Sequence, residues 1–135
     1  MFQRPDDNRA TSAAVLVTEC ISADDWGAAS ALFTEAVNRI DRRPMGAPPL
    51  SGRSEFLRSA RAFLDVGFDR STNAVVAERG DTVSLSEVRL FLENDFVVEW
   101  LQITQVDAAG LISQLVYFDI DDRVRAMEEL DALVR

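Results

Sequence analysis

RSTNAVVAERGDTVSLSEVRLFLENDFVVEWLQITQVDAAGLISQLVYF, residues 70–118, decides the fold. Four β-rich runs stand in it: Arg70–Arg79, Thr82–Glu93, Phe96–Val106 and Leu111–Phe118. Gly80-Asp81, Asn94-Asp95 and Asp107-Ala-Ala-Gly110 part them. Connections this short cannot return the chain for parallel pairing, so the runs predict an antiparallel meander. Neither face of the central runs is cleanly polar. In Thr82–Glu93, Val83, Leu85, Glu87, Arg89 and Phe91 alternate with Ser84, Ser86, Val88, Leu90 and Leu92. A sheet wetted on one side alternates more sharply. The mixed pattern predicts helices on one face and, on the outer face, a second copy of the chain or a covering loop.

Outward from the meander, Ala14, Val17 and Ile21 repeat at helical steps over Asp7 to Ile21. Ser22-Ala-Asp-Asp25 caps a second predicted helix, Asp25 to about Val37, with Trp26, Ala29, Leu32, Phe33 and Ala36 as its apolar stripe. A short strand at Arg39–Arg43 follows, then Pro44-Met-Gly-Ala-Pro-Pro, which lacks the donors for regular structure. Ser51 is placed as the cap of a third helix ending near Asp65, and Asp121-Asp122 opens a last helix carrying Val124, Met127, Leu130 and Leu133. The class is α+β: a curved sheet wrapped over helices, in one domain spanning 1–135. Phe2-Gln-Arg-Pro-Asp6-Asp7-Asn-Arg9-Ala10 echoes Phe118-Asp-Ile-Asp121-Asp122-Arg-Val-Arg125-Ala126. The echo fits either one unit of a tandem or larger parent, or acids that recur before helices as caps.

A net charge of −9 repels phosphate backbones and anionic lipid, and the basic cluster Arg39-Ile-Asp-Arg42-Arg43 is short and interrupted, so neither nucleic acid nor membrane is expected as a partner. No apolar run approaches the ~18 residues of a membrane-spanning helix. The polar first residues do not resemble a secretory leader. Cys20 is the one cysteine, set among Val15, Val17 and Ile21, and is expected to be buried; the cytoplasm is the expected location. The chain contains no histidine, which removes Ser-His-Asp and Cys-His catalysis and argues against a zinc site. No metal and no cofactor are expected. The Asp pairs at 6–7, 24–25 and 121–122 lack calcium-loop spacing and read as caps.

The order helix, helix, strand, helix, four-strand meander, helix carries Asp25-Trp26 before Leu32-Phe33 and Asp41-Arg-Arg-Pro44 with Gly46. It also carries Leu50-Ser-Gly-Arg53, Gly80-Asp81 and the ending Val116-Tyr-Phe-Asp119. In this it resembles the NTF2-like superfamily of cystatin-like α+β folds, in its SnoaL-like or polyketide-cyclase-like group, and among them small bacterial domains with no general assigned reaction. The resemblance implies a cone-shaped sheet that receives a small apolar molecule. Epoxide-hydrolase-like relatives use an Arg and two Asp, with a Tyr and an Asn placing water. Lined up without gaps, the Tyr and Asn positions fall on Arg39 and Asp41, the Arg and first Asp on Glu87 and Arg89, and the second Asp on Val116. A valine neither protonates an epoxide nor activates water, so that reaction is disfavoured.

Two readings stay open for the pocket. In one, Asp41 or Glu87 is a general base and Arg89 steadies oxyanion charge, as isomerase- or cyclase-type chemistry requires. In the other, the same charges pair with one another and with Arg39, and the domain only binds a small apolar molecule or acts as a dimerisation or regulatory module. Val98, Trp100, Val116 and Phe118 are expected as apolar wall, with Phe91, and Gln102 and Gln114 as amides that orient a ligand. A homodimer through the outer sheet face completes the expectation.

Overall fold

The computed structural model describes residues 8–65, 67, 70–93 and 95–134. Helix α1, Arg9–Ser22, opens on Asn8, whose side chain accepts the Thr11 N–H at 3.0 Å. The same amide donates to the carbonyls of Gly80 and Val83, at 3.2 and 3.1 Å. Arg9 donates its backbone N–H to the Asp81 carbonyl and its Nη1 to the Ala108 carbonyl. One helix end is thereby fastened to two sheet turns, and α1 lies across the inner face.

Helix α2, Trp26–Ser30, is capped by Asp25, which accepts the Ala28 N–H. It is much shorter than the expected Asp25–Val37. Phe33–Asp41 is instead strand β1, which also replaces the expected strand at Arg39–Arg43. Tertiary pairing overrides local helix preference here: the Ile112 N–H reaches the Leu32 carbonyl at 2.8 Å. A register shift between Phe33 and Asn38 leaves Phe33 and Val37 buried with Glu35 and Ala36 exposed. Four-residue spacing of buried side chains imitates a helix.

Strand β2, Leu50–Ser51, is a two-residue edge on β1. Ser51 therefore belongs to the sheet and does not cap helix α3, Arg53–Leu64. The cap position is Gly52, with φ of 99° and no side chain. That backbone angle is one glycine adopts without steric cost, and it turns the chain from strand to helix in one residue. Strands β3 (Arg70–Arg79), β4 (Val83–Phe91), β5 (Val97–Val106) and β6 (Ile112–Phe118) form the predicted meander, and helix α4, Arg123–Ala132, follows. Asp122 precedes α4 without a side-chain capping bond, while Asp24 accepts the Trp26 indole N–H at 2.9 Å. Residues 2–7 of the N-terminal echo and Asn94 of the second turn lie outside the described residues.

The described strands form one mixed sheet, in the order β2-β1-β6-β5-β4-β3, with β1 parallel to β6 and the other pairs antiparallel. Further register shifts at Val75/Ala77 and Gln105/Val106 bend it, since each bulge locally increases twist. Two apolar clusters sit on opposite sides. Phe33, Val37, Phe56, Val106 and Leu115 pack with Ala10 and Ala13 of α1 on the inner side. Val83, Leu85, Leu101, Val116 and Phe118 pack with Ala126 and Leu130 of α4 on the outer side. Residues on both faces of β4 are buried, Val83 and Leu85 on the outer side and Ser84, Ser86, Val88 and Leu90 on the inner, which accounts for its mixed alternation. Cys20 is half-buried. Among the described residues no helix is long and apolar enough to cross a membrane.

Candidate functional site

The inner sheet face, α1 and α3 enclose a cavity of about 320 Å³. This lies within the range of small-molecule pockets, roughly 300–1,000 Å³. Val17 and Ile21 come from α1, Phe63 from α3, and Leu90, Val98 and Leu115 from the sheet. Strand alternation sets the polar groups. On β5, Val98, Trp100 and Gln102 face inward, as the sequence predicts. Antiparallel pairing of Gln102 with Tyr117 then puts Tyr117 and Leu115 inside. Parallel pairing of Arg39 with Leu115 puts Arg39 inside as well.

Five expected pocket residues face the other way. Glu87 and Arg89 project to the outer side, because Val88 and Leu90 occupy the inner face of β4. There Arg89 pairs with Glu87 and Glu99, and Arg123 of α4 approaches Glu87 at 3.4 Å. The Glu99 hydrogen bond, followed by the Glu87 charge, holds the Arg89 guanidinium above its ordinary pKa. Gln114 pairs with Gln105 on the outer face, and Val116 and Phe118 belong to the outer apolar cluster. Phe91 also stays off the cavity and lies under the Arg70 guanidinium, 4.0 Å from the ring centroid. A strand shifted by one residue exchanges its faces, and the bulge where β5 meets β6 sets that phase.

The polar end of the cavity is built on Asp41, whose side chain is 0% exposed. Its Oδ1 accepts from the Arg43 backbone N–H at 3.1 Å and from Arg43 Nε at 2.9 Å. Its Oδ2 accepts from Arg43 Nη2 at 2.7 Å and from the Ala47 N–H at 3.2 Å. Burial alone pushes the Asp41 carboxyl up, but these bonds and the Arg43 charge outweigh it and leave the pKa below the ordinary value. Asp41 is thus a committed anion that sets Arg43. The Arg43 guanidinium lies over the rings of Trp100 and Tyr117, 5.8 and 5.6 Å from their centroids. Trp100 and Tyr117 pack against each other at 5.4 Å.

Arg39 also lies over Tyr117, at 5.6 Å, and is 8% exposed. Its Nη2 donates to the Pro48 carbonyl at 3.0 Å, and its Nε is buried without an acceptor. Trp100 Nε1 donates to Gln102 Oε1, and Gln102 Nε2 to Thr104 Oγ1, both at 3.2 Å. Burial pushes the Tyr117 phenol up to about 12, with Arg39 and Arg43 opposing the shift. Arg43 was marked in the sequence only as part of the basic cluster Arg39–Arg43, and Tyr117 was not proposed as a pocket residue. The in-phase partners of Trp100 and Gln102 on the neighbouring strand would have found Tyr117. No Asp or Glu among the described residues lines the cavity, and none of them form a cluster fit to hold a metal ion.

No family model matches this chain, and no curated sequence does. Solved structures do match. A Δ5-3-ketosteroid isomerase from Mycobacterium sp. superposes with a TM-score of 0.61 at 19% identity, over 82% of this chain and 92% of that one. An NTF2-like protein of unknown function from Burkholderia pseudomallei gives 0.59 at 15%, over 87% and 96%. A Mycobacterium tuberculosis protein in complex with estradiol-17β-hemisuccinate gives 0.58 at 19%, over 82% and 93%. The chain has the NTF2-like, SnoaL-like fold: an α+β cone. Identities this low establish the fold alone.

Proposed function

We propose that this chain binds a small, largely apolar molecule in the cavity between α1, α3 and the inner sheet face. The observation that carries the reading is the make-up of that hollow: mostly aliphatic and aromatic walls with a small number of polar side chains among them, Arg39, Arg43, Asn73 and Gln102 included. A neighbour of the same fold holds a steroid ester, which supports the size and character of the occupant. The isomerase or cyclase reading finds no such support. Both Asp41 oxygens are taken by donors, and Glu87 faces α4. A general base needs a free oxygen within reach of the substrate.

Filling the hollow tests the reading. Leu115→Trp and Val98→Trp should each weaken binding of estradiol at least tenfold while far-ultraviolet circular dichroism is retained. Unchanged affinity in both would overturn it. We also propose that the whole of 1–135 is one domain acting in the cytoplasm, and that two copies pair through the part of the outer face that α4 leaves open. There Val97 is 46% exposed beside the Arg89–Glu99 pair. Sedimentation velocity should give a dimer mass, and a monomer at 100 μM would refute the pairing.

A further inference from the structure

We propose that the cavity's occupant carries an acid group, a carboxylate on an apolar body, and that Arg39 is the residue that reads it. This rests on the binding function proposed above and adds the class of ligand to it.

The inner end of the cavity holds two guanidinium groups, Arg39 and Arg43, and one carboxylate nearby, Asp41. Asp41 has no capacity left for Arg39. Its two oxygens already accept four hydrogen bonds, three from Arg43 and one from the Ala47 N–H. No carboxylate among the described residues lies within 4.0 Å of Arg39, although nine other ion pairs are formed among them. The partners that Arg39 does have are neutral: the Pro48 carbonyl on Nη2 and the face of Tyr117. Nε has no acceptor among the described residues.

A buried cation with this little compensation is costly, because charges removed from water persist only when paired. The chain as a whole carries −9, so carboxylates are abundant, yet none is spent here. An incoming carboxylate would supply the missing charge and acceptors in the geometry that guanidinium groups favour. Trp100 and Tyr117, packed against each other beside both arginines, would flank the apolar body next to its acid end.

Isothermal titration with 2-naphthylacetate and its uncharged primary amide separates the possibilities. The wild-type chain should bind the acid about tenfold or more tightly than the amide, which is the scale of one charge-assisted contact. Arg39→Gln should abolish that preference by weakening the acid about tenfold or more while the amide loses less; an unchanged far-ultraviolet circular dichroism spectrum shows that the variant is folded. Arg39→Lys, which keeps the charge and loses the fork, should keep part of the preference and provides the comparison should the Gln variant not fold. Equal binding of acid and amide by the wild type would overturn the acid inference and leave the cavity reading intact. Preference surviving in Arg39→Gln would overturn the assignment to Arg39. Failure of both probes to bind would overturn the cavity reading and this inference with it.

Discussion

Asp41→Asn is nearly isosteric, and its effect can be worked out bond by bond. Each carboxylate oxygen faces two donors: Oδ1 meets the Arg43 backbone N–H and Nε, and Oδ2 meets Arg43 Nη2 and the Ala47 N–H. Asparagine must put its NH₂ at one of these places, where donor would face donor. It also leaves Arg43 without its counter-charge. Breaking a fully buried pair costs about 3–5 kcal/mol. The Arg43 side chain is partly exposed, so a loss of about 2–4 kcal/mol is expected. At roughly 4 °C per kcal/mol for a chain of this size, the melting temperature should fall by about 8–16 °C.

The pH dependence has a defined sign. The folded Asp41 carboxyl titrates below its unfolded value. Its stabilisation is therefore complete above about pH 4 and is lost as pH falls through the lower folded pKa. Urea unfolding of wild type and variant should show a constant gap from pH 7 to 5 and a narrowing gap below about 4. A gap under ~1 kcal/mol at pH 7, or one that widens in acid, would refute the assignment of Asp41 as the anchor of the polar end.

Three further outcomes follow from the same geometry. A Cβ at Gly46 would stand 2.7 Å from Asp41 Cγ and Oδ1 and 2.9 Å from the Arg43 carbonyl, so Gly46→Ala should cost about 1–3 kcal/mol, with part of that loss shared with Asp41→Asn in a double-mutant cycle. Glu87→Gln should cost no more than about 1 kcal/mol in urea unfolding and leave 2-naphthylacetate affinity unchanged, because the pairs it breaks lie on the α4 side. Tyr117 is the one tyrosine of the chain, so absorbance at the tyrosinate band reads it alone and should step near pH 12. The raised pKa contributes stability below about pH 10 that is lost as pH rises toward 12, and a step near 10 in a still-folded chain would contradict its burial.

The fold could be read because its decisive part is local. Turn residues at 80–81 and 107–110 and β-rich runs between them fixed four strands to within two residues at each boundary. Asp25, Trp26 and the alanines after them do start a helix, but its end depended on the distant Ile112 capturing the Leu32 carbonyl. No local pattern carries that information. The site was legible on β5, where Val98, Trp100 and Gln102 point inward, and at Arg39. It was misread on β4 and β6, since β4 carries buried residues on both faces and period-two patterning cannot then tell inner from outer. Glu87 and Arg89 looked like pocket charges for that reason. The bulge at Gln105/Val106 moved the inward phase of β6 from Gln114, Val116 and Phe118 to Leu115 and Tyr117. Register of this kind is settled by three-dimensional pairing.

The two tryptophans make the central claim directly measurable. Trp100 lines the cavity, and Trp26 is held outside it by Asp24 and Arg61. In a ¹H–¹⁵N correlation spectrum titrated with 2-naphthylacetate, the Trp100 indole N–H should shift and saturate while that of Trp26 and the backbone amides of Glu87, Arg89 and Glu99 stay in place. Saturable shifts confined to those outer-face amides, with the Trp100 indole unmoved, would contradict the account.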